Sequence, residues 1–248
     1  DKKKAAEEWL KEGLRLQRNG RYQGSVDSYR VAISFKPDFL DAYYNMGVAY
    51  GSLQDAGVQK ISRAIGAFKK AIGIKPDFIH AHIALGASFI KVEEFENAIQ
   101  ILNEAMKLEP ENPDIYYYLG IVFRLTGKKT EAIEALKKAI SINPESVQAQ
   151  YSLGLAFLDL ENYQEAGEAF QETLRIKPDS VDAHFMLGSL YQSSLTNNEK
   201  SLFHLKKAEK LYLKLEDYQN SARVRQLIES PSLKFHEGRP TKLTAEYE

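Results

Sequence analysis

The residues of this sequence whose types could do chemistry are five histidines, one lysine-rich turn and many carboxylates. His80 and His82 stand two apart, which on a helix turns them to different faces and prevents shared chelation of a metal. His82 and His184 hold the places that Trp9 and Tyr116 hold in other segments, so they read as packing residues. His204 and His236 stand alone, and no H-E-x-x-H zinc signature occurs. Gly127-Lys128-Lys129-Thr130 has the ending of a phosphate-binding loop, but that motif needs a preceding strand and a glycine where Val122 stands. It reads as a turn between helices. The sequence has no cysteine, which excludes thiolate zinc sites, disulfides and cysteine nucleophiles. No carboxylate sits in an isolated apolar setting, and no Asn-x-Ser/Thr glycosylation acceptor is present. The chemistry expected is therefore that of a chain without catalytic residues, metal or cofactor.

The elements that would have to position any functional residue are written in a period. Leu85-Gly86, Leu119-Gly120, Leu153-Gly154 and Leu187-Gly188 follow one another at 34 residues, with Met46-Gly47 as the matching pair of a longer unit. Pro76, Pro110, Pro144 and Pro178 keep the same interval, and Pro37 precedes Pro76 by 39 residues. Around each pair the apolar residues have helical spacing, as in Tyr116, Leu119 and Phe123, then Ala132, Leu136 and Ala139 beyond Gly127. The glycines Gly47, Gly86, Gly120, Gly154 and Gly188 are expected where two helices approach too closely for a Cβ. The prolines cannot continue a helix and close each unit. A fixed period of this size marks a stacked solenoid.

The unit Tyr116-x2-Leu119-Gly120-x2-Phe123, then Ala132-x3-Leu136, then Pro144, resembles the tetratricopeptide repeat, whose pattern is W-x2-L-G-x2-Y, A-x3-F and P. The resemblance implies an all-α fold, a right-handed α-solenoid superhelix of helix-turn-helix repeats. The expected organisation is one array over residues 1–229, with repeats at about 6–37, 38–76, 77–110, 111–144, 145–178 and 179–215. A capping helix at 217–229 and an extended tail at 230–248 complete it. The second repeat carries five extra residues, placed in a loop within 54–60.

Composition bounds the partners. Thirty-three basic residues against 34 acidic give a formal net charge of −1, so no general attraction to nucleic acid is expected. The longest apolar run, 115–123, is far too short to span a bilayer, so membrane insertion is not expected. The chain begins at Asp1 without methionine, and the expected setting is soluble: cytoplasmic, or periplasmic if a leader was removed. Lys69-Lys70, Lys137-Lys138 and Lys206-Lys207 recur on second helices and read as solvated surface.

The resemblance further implies that first helices line a concave groove where ligands lie. Two residues before each leucine of the repeat stand Tyr44, Ile83, Tyr117, Tyr151 and Phe185, a mostly aromatic stripe expected to face that groove. Five before it stand Asp41, His80, Asp114, Gln148 and Asp182, a mostly acidic one. Two readings stand for each stripe: a ligand surface, or packing between first helices, with aspartates at helix starts serving the helix dipole. The carboxylate clamp of chaperone-tail binders is missing, because the matching places hold Leu10, Leu14, Asn45, His80 and Ala84, of which only Asn45 fits. The expected function is a non-enzymatic interaction scaffold binding a protein or peptide with apolar and basic residues. The alternatives are self-assembly, the groove taking a terminal segment of a second copy, and a substrate-docking arm of an enzyme complex.

Overall fold

The computed structural model describes residues 1–53 and 57–229. They form thirteen helices and no strand. In chain order these are α1 (Lys2–Arg18), α2 (Tyr22–Phe35), α3 (Leu40–Gly51), α4 (Val58–Ile74), α5 (Ile79–Lys91), α6 (Phe95–Leu108) and α7 (Pro113–Leu125). They continue as α8 (Lys129–Ile142), α9 (Val147–Asp159), α10 (Tyr163–Ile176), α11 (Val181–Ser193), α12 (Asn198–Lys214) and α13 (Tyr218–Glu229). The chain divides into two compact units, residues 1–118 and residues 119 onward, the division falling within α7.

The punctuation of these helices follows from local sequence. Each even-numbered helix from α2 to α10 ends on an extended residue directly before a proline: Lys36, Lys75, Glu109, Asn143 and Lys177. Asn143, for example, has φ −126° and ψ 89°. A proline ring clashes with a helical residue before it and forces this geometry. Between the helices of a pair the chain must pass through the left-handed region. Gly20 and Gly127 do so at φ 70° and 76°, Glu93 and Glu161 at φ 61° and 60°, and Thr196 at φ 46°, while Glu216 does the same between α12 and α13. Ser146 and Ser180 cap α9 and α11, their hydroxyls accepting from the amides of Ala149 and Ala183.

Within each unit the paired helices touch at the repeat glycine. In unit 2 a Cβ on Gly154 would lie 2.5 Å from the Phe170 ring, and one on Gly188 2.7 Å from Leu205. In unit 1 a Cβ on Gly47 would lie 2.5 Å from the Phe68 ring. The core of unit 2 gathers Tyr151, Phe170, Phe185, Leu187, Leu205 and Val224 with their neighbours. At the start of unit 1, Ala6, Ala32, Phe39 and Ala42 pack together.

Two departures from the simple repeat are informative. The extra residues of the second repeat were expected in a loop over 54–60, yet α4 already begins at Val58 and runs for 17 residues, against 14 in α6. Part of the insertion thus lengthens a helix, because Ile61 extends the buried face of Ile65 and Phe68 backwards by a turn. Residues 54–56 and the tail at 230–248 lie outside the described residues. The second departure is α13, which starts 37 residues after α11 because α12 is also 17 residues long. In that register Ser221, Val224 and Leu227 are buried as His184, Leu187 and Leu190 are. Arg225 then stands where α11 has Gly188, and its Nε donates to Glu209 of α12 at 2.7 Å.

Candidate interaction site

In unit 2 the residues of α9, α11, α12 and the turn after α12 enclose a cleft of about 670 Å³. Gln148 and Tyr151 come from α9, Val181 and Asp182 from the first turn of α11, and Leu211, Tyr212 and Leu215 from the end of α12. Ser180 fixes the start of α11, so the Asp182 carboxylate is carried into the cleft by the second residue of a capped helix. Asp182 is half-buried, and burial pushes its carboxyl above the usual range against the opposing pull of Lys177 and a hydrogen bond from Tyr212. Burial also raises the Tyr212 hydroxyl, reinforced by the charges of Asp182 and Asp217. The cleft therefore sets a carboxylate whose charged form burial disfavours beside apolar side chains, with Lys177, Asp179, Lys214 and Asp217 also in its lining. A cation seated there would relieve that penalty.

Unit 1 brings a different set together. The Tyr44 ring meets Phe78 edge-on at 5.1 Å and lies 5.9 Å from Phe68 and 6.4 Å from His80. Burial raises the Tyr118 hydroxyl, with further contributions from Asp114 and Tyr44. Tyr44, His80, Asp114 and Tyr118 thus share one aromatic and mildly acidic region, with Tyr44 and Tyr118 half-buried and His80 and Asp114 exposed. Ile83 is half-buried, and Asp41 is exposed, as is Gln148 in unit 2.

The aromatic stripe needs correction. Tyr117 is only 9% exposed, and Tyr151 and Phe185 are 3% exposed. Of the two readings the sequence left open for these rings, ligand surface or packing, their burial favours packing. Tyr151 is held there by Phe170, ring centres 5.4 Å apart, and Tyr117 packs on Tyr118 at 5.0 Å. The residues that sequence reasoning missed are Phe78, Tyr118, Tyr212 and Leu215. Phe78 had a signal, since Pro37-Asp38-Phe39 and Pro76-Asp77-Phe78 repeat one tripeptide pattern. Tyr212 and Leu215 had none, because the longer α12 takes them out of the period.

Of the histidines, His82 packs as expected, 4% exposed with Nδ1 3.2 Å from the Phe78 carbonyl. His204 does not stand alone. Its Nδ1 lies 2.9 Å from Nδ1 of His184, whose Nε2 lies 3.1 Å from the Pro178 carbonyl. A carbonyl only accepts, so His184 Nε2 carries the proton and its Nδ1 accepts from the Nδ1–H of His204. No cluster of three or more metal-ligating side chains occurs among the described residues. No described helix is long and apolar enough to cross a membrane.

The family comparisons agree with this architecture. A family model described as TPR repeat matches residues 13–54, and one described as anaphase-promoting complex, cyclosome, subunit 3 matches residues 91–173. The chain belongs to the tetratricopeptide-repeat family, an all-α helical repeat solenoid. It is similar to the structure of MamA, 28% identical over 64% of this chain and 93% of that one, with a TM-score of 0.57. It shares its fold with pilF of Pseudomonas aeruginosa, 17% identical over 88% and 98% of the two chains, TM-score 0.70. It also shares it with YrrB, described as a TPR protein with an unusual peptide-binding site, 23% identical over 75% and 93%, TM-score 0.53. No curated protein sequence matches significantly. The family is generally one of non-enzymatic protein-interaction scaffolds, and none of these comparisons indicates a catalytic family.

Proposed function

We propose that this chain is a scaffold that captures a partner segment bearing a basic side chain beside apolar ones, and that the cleft of unit 2 is where it binds. The observation that carries this reading is Asp182, a carboxylate whose charged form burial disfavours, in the lining of a cleft beside Val181, Leu211 and Leu215. An arginine or lysine would lay its aliphatic stem on those walls and its charge on Asp182. The aromatic region of Tyr44, His80 and Tyr118 in unit 1 offers a second anchor of the same character. That the repeats run as one continuous array through both units is part of the proposal.

The test is an array of synthetic peptides pairing arginine or lysine with leucine or phenylalanine, probed with the full chain. The basic-apolar peptides are expected to bind, and Asp182→Asn to weaken them at least about thirtyfold, the usual consequence of removing one partner of a desolvated charge pair. Binding that survives both Asp182→Asn and Leu215→Ser would assign the cleft no role. A second copy is the alternative occupant, because residues 231–248 hold Leu233 and Phe235 beside Lys234, Arg239 and Lys242. Light scattering across concentrations separates the two, since only self-assembly raises the mass with concentration.

A further inference from the structure

The outer face of α12 differs from those of the other helices in what it leaves uncovered. Ser201, Leu205, Ala208 and Tyr212 are buried, and at 100° per residue the opposite arc carries Phe203, Lys206, Lys207 and Lys210, all exposed. Phe203 is 57% exposed at the centre of that arc, and Leu202 and Leu213 line its margin at 41% each. Of the exposed large apolar side chains among the described residues, Leu202, Phe203 and Leu213 lie on this side of α12, so one helix carries three of them. None of Lys206, Lys207 and Lys210 has an ion-pair partner among the described residues. Of the two carboxylates on α12, Glu209 is engaged by Arg225, leaving Glu199 alone against these lysines. In a chain whose charges nearly balance, this is a local excess of positive charge.

We propose that this face of α12 docks peripherally on an anionic lipid surface. Three unpartnered lysines around an exposed phenylalanine match negative headgroups overlying an apolar layer: the ring and the two leucines enter the acyl boundary, and the lysine stems extend back to the phosphates. The face is a convex ridge about 10 Å long from residue 203 to 210, at 1.5 Å per residue. A ridge presents its charges to a plane, whereas an extended acidic peptide needs a groove, and the cleft of unit 2 is lined by other residues of this helix. The proposal is independent of the peptide-binding reading, because it shares none of the cleft's residues.

The test is co-sedimentation of the full chain with vesicles of phosphatidylcholine alone, and of roughly three parts phosphatidylcholine to one part phosphatidylserine. Binding is expected only with phosphatidylserine, weakening as salt is raised. Lys206→Gln with Lys210→Gln is expected to lower the partition coefficient about twenty-five-fold, roughly fivefold for each lysine. Phe203→Ser is expected to lower it again, with the circular-dichroism spectrum unchanged in both variants because all three side chains are exposed. Inorganic phosphate at millimolar levels should not compete. Sedimentation that ignores phosphatidylserine, or that both variants retain in full, overturns the proposal. So does binding to a polyglutamate peptide without vesicle binding, which would assign the face to an acidic protein segment.

Discussion

The histidine pair is the most informative feature at the scale of single residues. His184 and His204 form one hydrogen-bonded couple only when both are neutral or when they share a single added proton. A second proton would set two N–H groups against each other. Burial holds both pKa values below the ordinary histidine value, His204 at about 4 with His184 and Lys200 adding to the shift, and His184 lowered further by Lys207. Their folded values lie below the unfolded ones, so the couple's contribution is fully present above about pH 6.5 and is lost as pH falls towards 4. The melting temperature should accordingly fall across that window, and His204→Leu should flatten the slope relative to the parent. Calorimetry at a series of pH values checks it, and parallel slopes for the two proteins would remove the pair from the account. The packing role of His184 was legible, because it repeats the place of Trp9 and Tyr116. Its partner was not, since His204 has no counterpart in the period.

Among the elements, the turns between paired helices were half legible. Gly20 and Gly127 announce a left-handed residue, but Glu93 and Glu161 adopt the same φ with a side chain that disfavours it. Helix packing on both sides imposes the turn, and the glutamates tolerate it at a local cost. Glu161→Gly should therefore stabilise the protein by roughly 1 kcal/mol, less the chain entropy that glycine adds to the unfolded state. Chemical denaturation of the variant measures this, and a loss of stability would mean that the Glu161 side chain makes a contact worth more than the strain. The prolines are legible as helix terminators because their effect is steric and local, and α4 and α8 are each capped by the residue before one. The extra turn of α4 was not read, since Val58-Gln59-Lys60 is as compatible with a loop as with a helix until Ile61 is buried.

For the molecule as a whole, the period reveals the family and the identity of each helix, but not which of its faces stays open. Tyr44 and Tyr151 hold equivalent places, yet one is half-buried beside exposed His80 and the other is almost fully buried on Phe170 and the α11 core, at the edge of the unit 2 cleft. Whether such a ring lines a surface depends on the size of its neighbours in the next repeat, which a single-repeat pattern does not encode. Tyr151→Ala is thus expected to cost unit 2 about 3–5 kcal/mol of stability, the range for deleting a large buried ring. Urea unfolding checks it, and a near-parental midpoint would return Tyr151 to the binding surface. One further consequence attaches to Arg225. Six odd-numbered helices offer bare backbone, at Gly13, Gly47, Gly86, Gly120, Gly154 and Gly188, and on each of them a second helix lays its side chains. On α13 the same position carries a guanidinium turned back onto Glu209. A second helix laid on α13 as on the other six would meet a guanidinium where they offer bare backbone.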